Sequence, residues 1–392
     1  MPHKIVIATD KFKGSLTSVE AAKAIQKGIE RACPYSNISF DIVGIADGGD
    51  GSASVLQSVI GNDNITEVEV VAVNPIGVEI KTSYLLYTES VGDGKNVVCA
   101  FVEMAKISGL ELLLPSQRNP WNTTTFGLGQ LLRDAYLKGA RKITLSIGGS
   151  ATNDCGTGML QALGFGFYDK DNELIDNYMC GGLLQSVSRI EAPVCKELSG
   201  FAIDDCKIRV VCDVTNPLLG ECGATMVYGP QKGADMAMLA KLERGMENIV
   251  AQAGYAGEPC LHLKPGAGAA GGVGYAVMRF LNGEITSGWR FFANITDLEH
   301  KIAESELVIT GEGCFDSQSL SGKVVGGVLS LARQYNKQAE IFCGISKLSP
   351  AELQGVLCHP IASLGYPLDI CMSKAACLLE ELAYKTWSES GL

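Results

Sequence analysis

The sequence predicts an α/β protein: a parallel-sheet domain built from both ends of the chain, interrupted by an inserted mixed-sheet α/β domain. Three observations predict it. Short β-branched runs alternate with helical patterns toward both termini, as parallel βαβ units do. Residues 66–102 read instead as consecutive antiparallel strands. Glycine, 46 of 392 residues, clusters between apolar runs and follows no collagen-like period. The expected division is residues 1–80 with 292–392 for the first domain and 81–291 for the second.

The first unit of this pattern is a buried strand over Ile5–Ala8, a polar loop from Asp10 to Ser15, and a helix. Thr17-x-x-Glu20 opens that helix as a capping box, and Ala22, Ile25 and Ile29 share one face. A second strand near Phe40–Ile45 runs into Asp47-Gly48-Gly49-Asp50-Gly51 and another helix. In the middle of the chain, Asn74–Gly77 forms a turn between strands Val68–Val73 and Val78–Tyr87. Strands Ile143–Ile147 and Ile208–Cys212 follow, then a helix over 234–254 whose stripe Met236, Leu239, Leu242, Met246, Ile249 is core-like. Parallel units return with strand Leu307–Ile309, a loop Gly311-Glu312-Gly313, a helix over Val324–Ala332, strand Ile341–Cys343, and a final helix capped by Ser373.

Composition excludes several classes. Apolar residues make up 46% and charged ones 19%, which is not a disordered chain. A net charge of −11 disfavours nucleic acid and anionic membrane as partners. Every 18-residue window holds a charged side chain, and Met1–Lys4 leads straight into a strand, so neither a membrane span nor a signal peptide is expected. The 14 cysteines form no CxxC pair and read as free thiols of a cytoplasmic protein. The four histidines, at 3, 262, 300 and 359, show no zinc spacing.

In open α/β sheets ligands collect where strands end and helices begin, because N–H groups and helix dipoles there favour anions. Several loops are placed to use this. After the first strand, Asp10 sits in the loop and Lys13 can neutralise a carboxylate or phosphate. Asp47 and Asp50 offer carboxylates to Mg²⁺, a hard cation that prefers oxygen ligands. Gly148-Gly149-Ser150-Ala151-Thr152-Asn153 makes an anion cradle from backbone and hydroxyls. Asp213 ends a strand and suits a metal ligand or proton acceptor. Gly266, Gly268 and Gly271 spell GxGxxG, but Pro265 precedes them and no strand leads in. Gly311, Glu312, Gly313 and Asp316, with Lys323 beyond, put acidic groups and a cation at one more strand end. Gly322-Lys323 is not a P-loop, because Val324 replaces the required hydroxyl. Each loop also reads plainly as a solvated turn. Together they suit phosphoryl transfer between two lobes closing over a cleft, where the protein mainly positions substrates, neutralises charge and excludes water.

The ordered set DKFKGS (10–15), ADGGDG (46–51), EMAKISGL (103–110), IGGSATND (147–154), CDVTNPLLG (212–220), GPQKGA (229–234), GAGAAGG (266–272) and GEGCFDSQSLSGK (311–323) resembles the type I glycerate kinase family. Lys11, Cys155 and Cys314 stand where relatives commonly have Ser, Gly and Arg. The resemblance implies ATP-dependent phosphorylation of D-glycerate, typically at the 2-hydroxyl, in glyoxylate and sugar-acid catabolism. It also implies two α/β domains, one of them flavodoxin-like.

On that resemblance, Lys13 and the N–H groups of Gly148–Ser150 hold the glycerate carboxylate, with Asp10 and Asn153 beside it. Asp47 or Asp213 takes the hydroxyl proton, and Mg²⁺ rests on Asp47, Asp213 and Glu312. The nucleotide falls to Gly266, Gly268, Gly271, Gly311, Glu312, Gly313, Asp316 and Lys323. Two rivals stand against it: an NAD-dependent oxidoreductase read from GAGAAG, and a non-catalytic small-acid-binding protein. The oligomeric state is open, a homodimer being the form to test for.

Overall fold

The structure, a computed structural model, describes residues 3–49, 51–193, 201–254, 260–320, 323–349, 351–353 and 355–389. Asp50, Ser321 and Gly322 lie outside the described residues. The strands are β1 (Lys4–Thr9), β2 (Ser39–Gly44), β3 (Ile65–Val73), β4 (Glu79–Val91), β5 (Lys95–Glu103), β6 (Lys142–Ser146), β7 (Gly166–Tyr168), β8 (Arg189–Glu191), β9 (Lys207–Val211), β10 (Glu284–Thr286), β11 (Leu307–Phe315), β12 (Gln338–Ser346) and β13 (Leu357–Pro360). The chain divides into two compact units, one of Met1–Asp47, Ser54–Val59 and Gly288–Leu392, the other of Gly48–Ala53 and Ile60–Ser287.

The first unit holds a five-stranded sheet in the order β13-β12-β11-β1-β2, every pair parallel. Counted along the chain this is 2-1-3-4-5, the flavodoxin-like order, whose switch point lies between the first and third strands. Those are β1 and β11, registered from Ile5 opposite Leu307 to Thr9 opposite Gly311. A central parallel strand is covered on both faces, so the run Ile5–Ala8 is apolar without alternation and fully buried. Ile5, Ile7, Ile25, Ile29, Phe342 and Leu379 belong to one core cluster. Helix Ser18–Ala32 starts at the expected capping box: Thr17 Oγ1 accepts from Glu20 N–H at 3.3 Å, and Glu20 accepts from Thr17 N–H at 2.9 Å.

Two expectations in this unit are corrected. Gly311-Glu312-Gly313 is strand rather than loop, because β11 keeps pairing with β12 as far as Phe315 opposite Ser346. Ser373 does not cap the last helix, Ala375–Glu389; it closes the preceding short helix, Leu368–Ser373, and its hydroxyl donates to Asp369 O.

The second unit carries a six-stranded sheet in the order β10-β9-β6-β5-β4-β3. β10, β9, β6 and β5 run parallel; β4 and β3 complete an antiparallel meander. The turn between β3 and β4 forms as the sequence predicts, with Asn74 Oδ1 accepting from the N–H groups of Ile76 and Val78. Residues 65–73 therefore go with this unit, since β3 pairs along its whole length with β4; the compact units part near residues 47–60 and at 287, not at 80 and 292. Leu131, Leu132, Ile143, Leu145, Val210 and Val273 lie in its core. Helix Met236–Ala253 buries Leu239, Leu242, Met246 and Ile249, but Met236 is 76% exposed, because the first turn after the Asp235 cap projects beyond the core. Among the described residues no helix is long and apolar enough to cross a membrane.

The capping box gives a stability test for the first unit. Thr17→Ala removes a cap acceptor from an exposed helix start and is expected to cost about 1 kcal/mol, measured as a lowered urea midpoint with an unchanged slope.

Candidate active site

Both sheets end their parallel strands in the loops singled out from the sequence. In the first unit, Asp10 follows β1, Asp47 follows β2, and Glu312 lies on the part of β11 that runs past β1. Asp10 N–H donates to Gly311 O at 2.9 Å, which fixes its loop at the switch point. A Cβ on Gly313 would stand 3.3 Å from the backbone of both Phe12 and Lys13, so the end of β11 touches the loop after β1 here. The Phe12 ring is buried while Lys13 is exposed, its ammonium open to a ligand.

The charges of this cluster repel one another. Burial pushes the Asp10 carboxyl up to about 7, helped by the negative charge of Asp47 and then of Glu312, against the Lys11 N–H that donates to it. Glu312 is also raised, first by burial, while Ser319 and Lys323 favour its ionised form. Asp316 accepts from Gln318 N–H, and Lys323 precedes helix Val324–Gln334. Among the described residues no three acidic or sulfur or imidazole groups form a ready-made metal cage. Mg²⁺ does not require one: it is commonly bound by one or two carboxylates plus substrate phosphates and water. Asp10 and Glu312, both raised first by burial and further by neighbouring carboxylates, suit that mode of binding.

In the second unit the loop after β6 carries the anion cradle. Ser146 Oγ and Gly148 N–H both donate to Gly48 O, and a Cβ on Gly148 would meet Gly49 Cα at 2.6 Å; only glycine lets the two backbones approach so closely. Ser150 is 9% exposed and Asn153 fully buried. Asn153 Nδ2 donates to Thr225 Oγ1 at 3.2 Å. Fully buried Asp154 accepts from Thr125 N–H, Thr125 Oγ1, Gly156 N–H and Gly158 N–H. Burial raises its carboxyl, and these four donors counter the rise.

Lys232, in the GPQKGA run, has no role legible in the sequence. Its side chain is 1% exposed, and its ammonium donates to Ser150 Oγ at 3.0 Å and Thr152 O at 2.7 Å. Burial lowers its pKa to about 7, with Asp154 opposing. A lysine reads as surface by default, so only the tertiary contact reveals it.

Asp213 lies just past the end of β9 and accepts from Ser287 Oγ at 2.7 Å. The run Gly266–Gly272 follows a short 3-10 turn, Leu261–Leu263, and not a strand, so the dinucleotide reading fails. Its glycines serve packing. A Cβ on Gly268 would meet Pro217 O at 2.2 Å, and one on Gly271, at φ +67°, would meet Thr152 O at 2.1 Å. That seam supports the cradle from behind. Gly266 lies against Ile285, likewise inside the unit.

Carboxylates gathered at the switch point of a doubly wound sheet, and a glycine-rich loop backed by a buried ammonium, are the equipment of an α/β small-molecule kinase, which positions anions more than it reacts with them. Comparison with known proteins makes the assignment particular. The chain belongs to the glycerate kinase family, whose pattern matches residues 5–389. It is 41% identical over 340 residues to glycerate 2-kinase of Escherichia coli K12, covering 85% of this chain and 83% of that protein. It is 36% identical over 388 residues to a glycerate kinase of Bacillus subtilis 168, covering 97% and 96%. A Salmonella typhimurium LT2 crystal structure provisionally named glycerate kinase 2 superposes with a TM-score of 0.79 at 33% identity, covering 100% of this chain and 99% of that one.

The raised Asp10 carboxyl has a measurable sign. The folded chain keeps its proton up to about 7, whereas an unfolded Asp gives it up near pH 4. Stability is expected to fall as pH rises across that window. Asp10→Asn should unfold at a higher urea concentration than wild type at about pH 8 and match it at about pH 4; parallel pH profiles would show that Asp10 carries no such strain.

Proposed function

We propose that this chain transfers the γ-phosphoryl group of ATP to D-glycerate, giving 2-phospho-D-glycerate and ADP. The observation that carries the reading is the acidic switch point Asp10–Asp47–Glu312 in a chain matching the glycerate kinase family almost end to end. The name of the E. coli relative supports the 2-hydroxyl as acceptor. The described cysteines, none of them in a disulfide, fit a reducing cytoplasm.

Each cluster has a proposed part. Lys13 and, in the second unit, the N–H groups of Gly149 and Ser150 with the Ser150 hydroxyl are the proposed ligands of the glycerate carboxylate, while fully buried Asn153, donating to Thr225, supports the loop. The carboxylates of Asp47 and Glu312, with Asp10 beside them, hold Mg²⁺, which when bound neutralises the phosphate oxygens. Gly311, Gly313, Asp316 and Lys323 line the triphosphate, Lys323 as the cation. Asp213, oriented by Ser287, takes the proton from the substrate hydroxyl as the oxygen attacks phosphorus; Asp47 is the alternative base if it is not committed to the metal.

Incubation with ATP, Mg²⁺ and D-glycerate, followed by ³¹P NMR, is expected to give 2-phosphoglycerate and stoichiometric ADP. Binding without ADP formation would mark an acid-binding protein instead. Asp213→Asn and Asp47→Asn should each lower kcat by about a hundredfold or more with folding intact. Near-wild-type turnover in either variant removes that residue from the chemistry.

A further inference from the structure

The contact between Lys232 and Ser150 specifies more than the loop's shape. A hydroxyl offers one donor and two acceptor lone pairs, whereas an ammonium can only donate. Lys232 Nζ lies 3.0 Å from Ser150 Oγ in a buried contact and so occupies one of the hydroxyl's lone pairs. No acceptor for the Ser150 proton is present among the described residues, and Ser150 keeps a little exposure where the cradle opens. The ammonium has no carboxylate within 4 Å among the described residues; its second donor bond goes to Thr152 O. Asp154 acts on it only through space, since that carboxylate is saturated by Thr125, Gly156 and Gly158. Buried cations need compensation, and an anion bound at the cradle would supply it.

We propose that Lys232 is a positioning residue for glycerate: its buried ammonium holds Ser150 as a hydrogen-bond donor aimed at the substrate carboxylate. The proposal rests on the assignment of the 148–153 loop to glycerate. Lys232 does not touch the substrate and acts through Ser150.

The protonation state then decides the direction of the contact. A neutral amine has a lone pair and can accept, so the Ser150 proton turns inward to Nζ and the cradle loses a donor. With the Lys232 pKa near 7, burial being the cause, this reversal falls within the working range. Other charged groups around Lys232 do not duplicate it. Asp154 is fixed as above, Glu243 is turned to Gly220 N–H and Thr225, and Arg118 meets the adjacent Gly233 through its backbone and Cβ.

The test is the apparent KM for D-glycerate at saturating ATP and Mg²⁺ from about pH 6 to 9. In wild type it is expected to be lowest at the acid end and to rise by up to about tenfold per pH unit above 7. Ser150→Ala should raise the acid-side KM and reduce the pH dependence to the weaker through-space effect of the Lys232 charge, because Lys232 then has nothing to orient. Lys232→Met should also raise the acid-side KM and abolish the pH dependence, with kcat falling by less than KM rises, and the double variant should be no worse than Lys232→Met alone. Lys232→Arg, which stays charged, should restore a low, pH-independent KM. Measured in an Asp10→Asn background, so that the Asp10 carboxyl does not titrate in the same range, a KM flat from about pH 6 to 9 overturns the proposal, as does a limb no less steep in Ser150→Ala than with Ser150 present. If Ser150→Ala leaves KM unchanged at every pH, the glycerate assignment of the loop is what fails. Should Lys232→Met not fold, the Asp10→Asn profiles with and without Ser150→Ala still decide.

Discussion

A carboxylate removed from water has to be surrounded by donors, and the second unit is organised around one that is. Asp154 draws in two groups from Thr125 and two backbone N–H groups from the start of helix Thr157–Ala162. Those contacts hold the exit of β6 against the chain that enters helix Phe126–Leu137. Leaving such a charge unsatisfied would cost several kcal/mol, so the geometry of the neighbouring cradle is tightly specified. Ser150, Asn153 and Lys232 take their positions from that arrangement and are not independently placed.

The first unit solves the opposite problem. Its switch point collects like charges that would be more stable apart, and the sheet holds them together regardless. Backbone pairing of β1, β2 and β11 determines where Asp10, Asp47 and Glu312 sit; their electrostatics do not. A scaffold can maintain such a destabilised cluster when a cation shared with the substrate relieves it, which is the usual relation between stability and function at a phosphoryl-transfer site.

Much of this was legible in the sequence, for physical reasons that differ by element. Continuous apolar runs at Ile5–Ala8 and Leu307–Ile309 could only be doubly covered strands, and Thr17-x-x-Glu20 is a local signal that needs no tertiary context. The meander at 65–103 announced itself by its turn residues. Other features were decided by distant partners. Whether Gly311–Phe315 is loop or strand depends on β12, some thirty residues away in sequence, and nothing within the segment tells them apart. GAGAAGG carries the letters of a nucleotide loop, yet its glycines admit the carbonyls of Pro217 and Thr152. Lys232 is the clearest omission: its burial follows from the 150–154 loop folding over it, and a single lysine in a glycine-rich segment gives no sign of that.

The parallel pairing of β1 with β11 joins positions about three hundred residues apart. During synthesis β1 and β2 emerge first and have no β11 edge to join until nearly the whole polypeptide has left the ribosome. The nearly contiguous stretch from Ile60 to Ser287 faces no such wait and can reach its native state while the chain is still being made. Maturation of the acidic switch point is therefore tied to translation of the final hundred residues, and a product released before them would contain the cradle without the sheet that gathers the carboxylates.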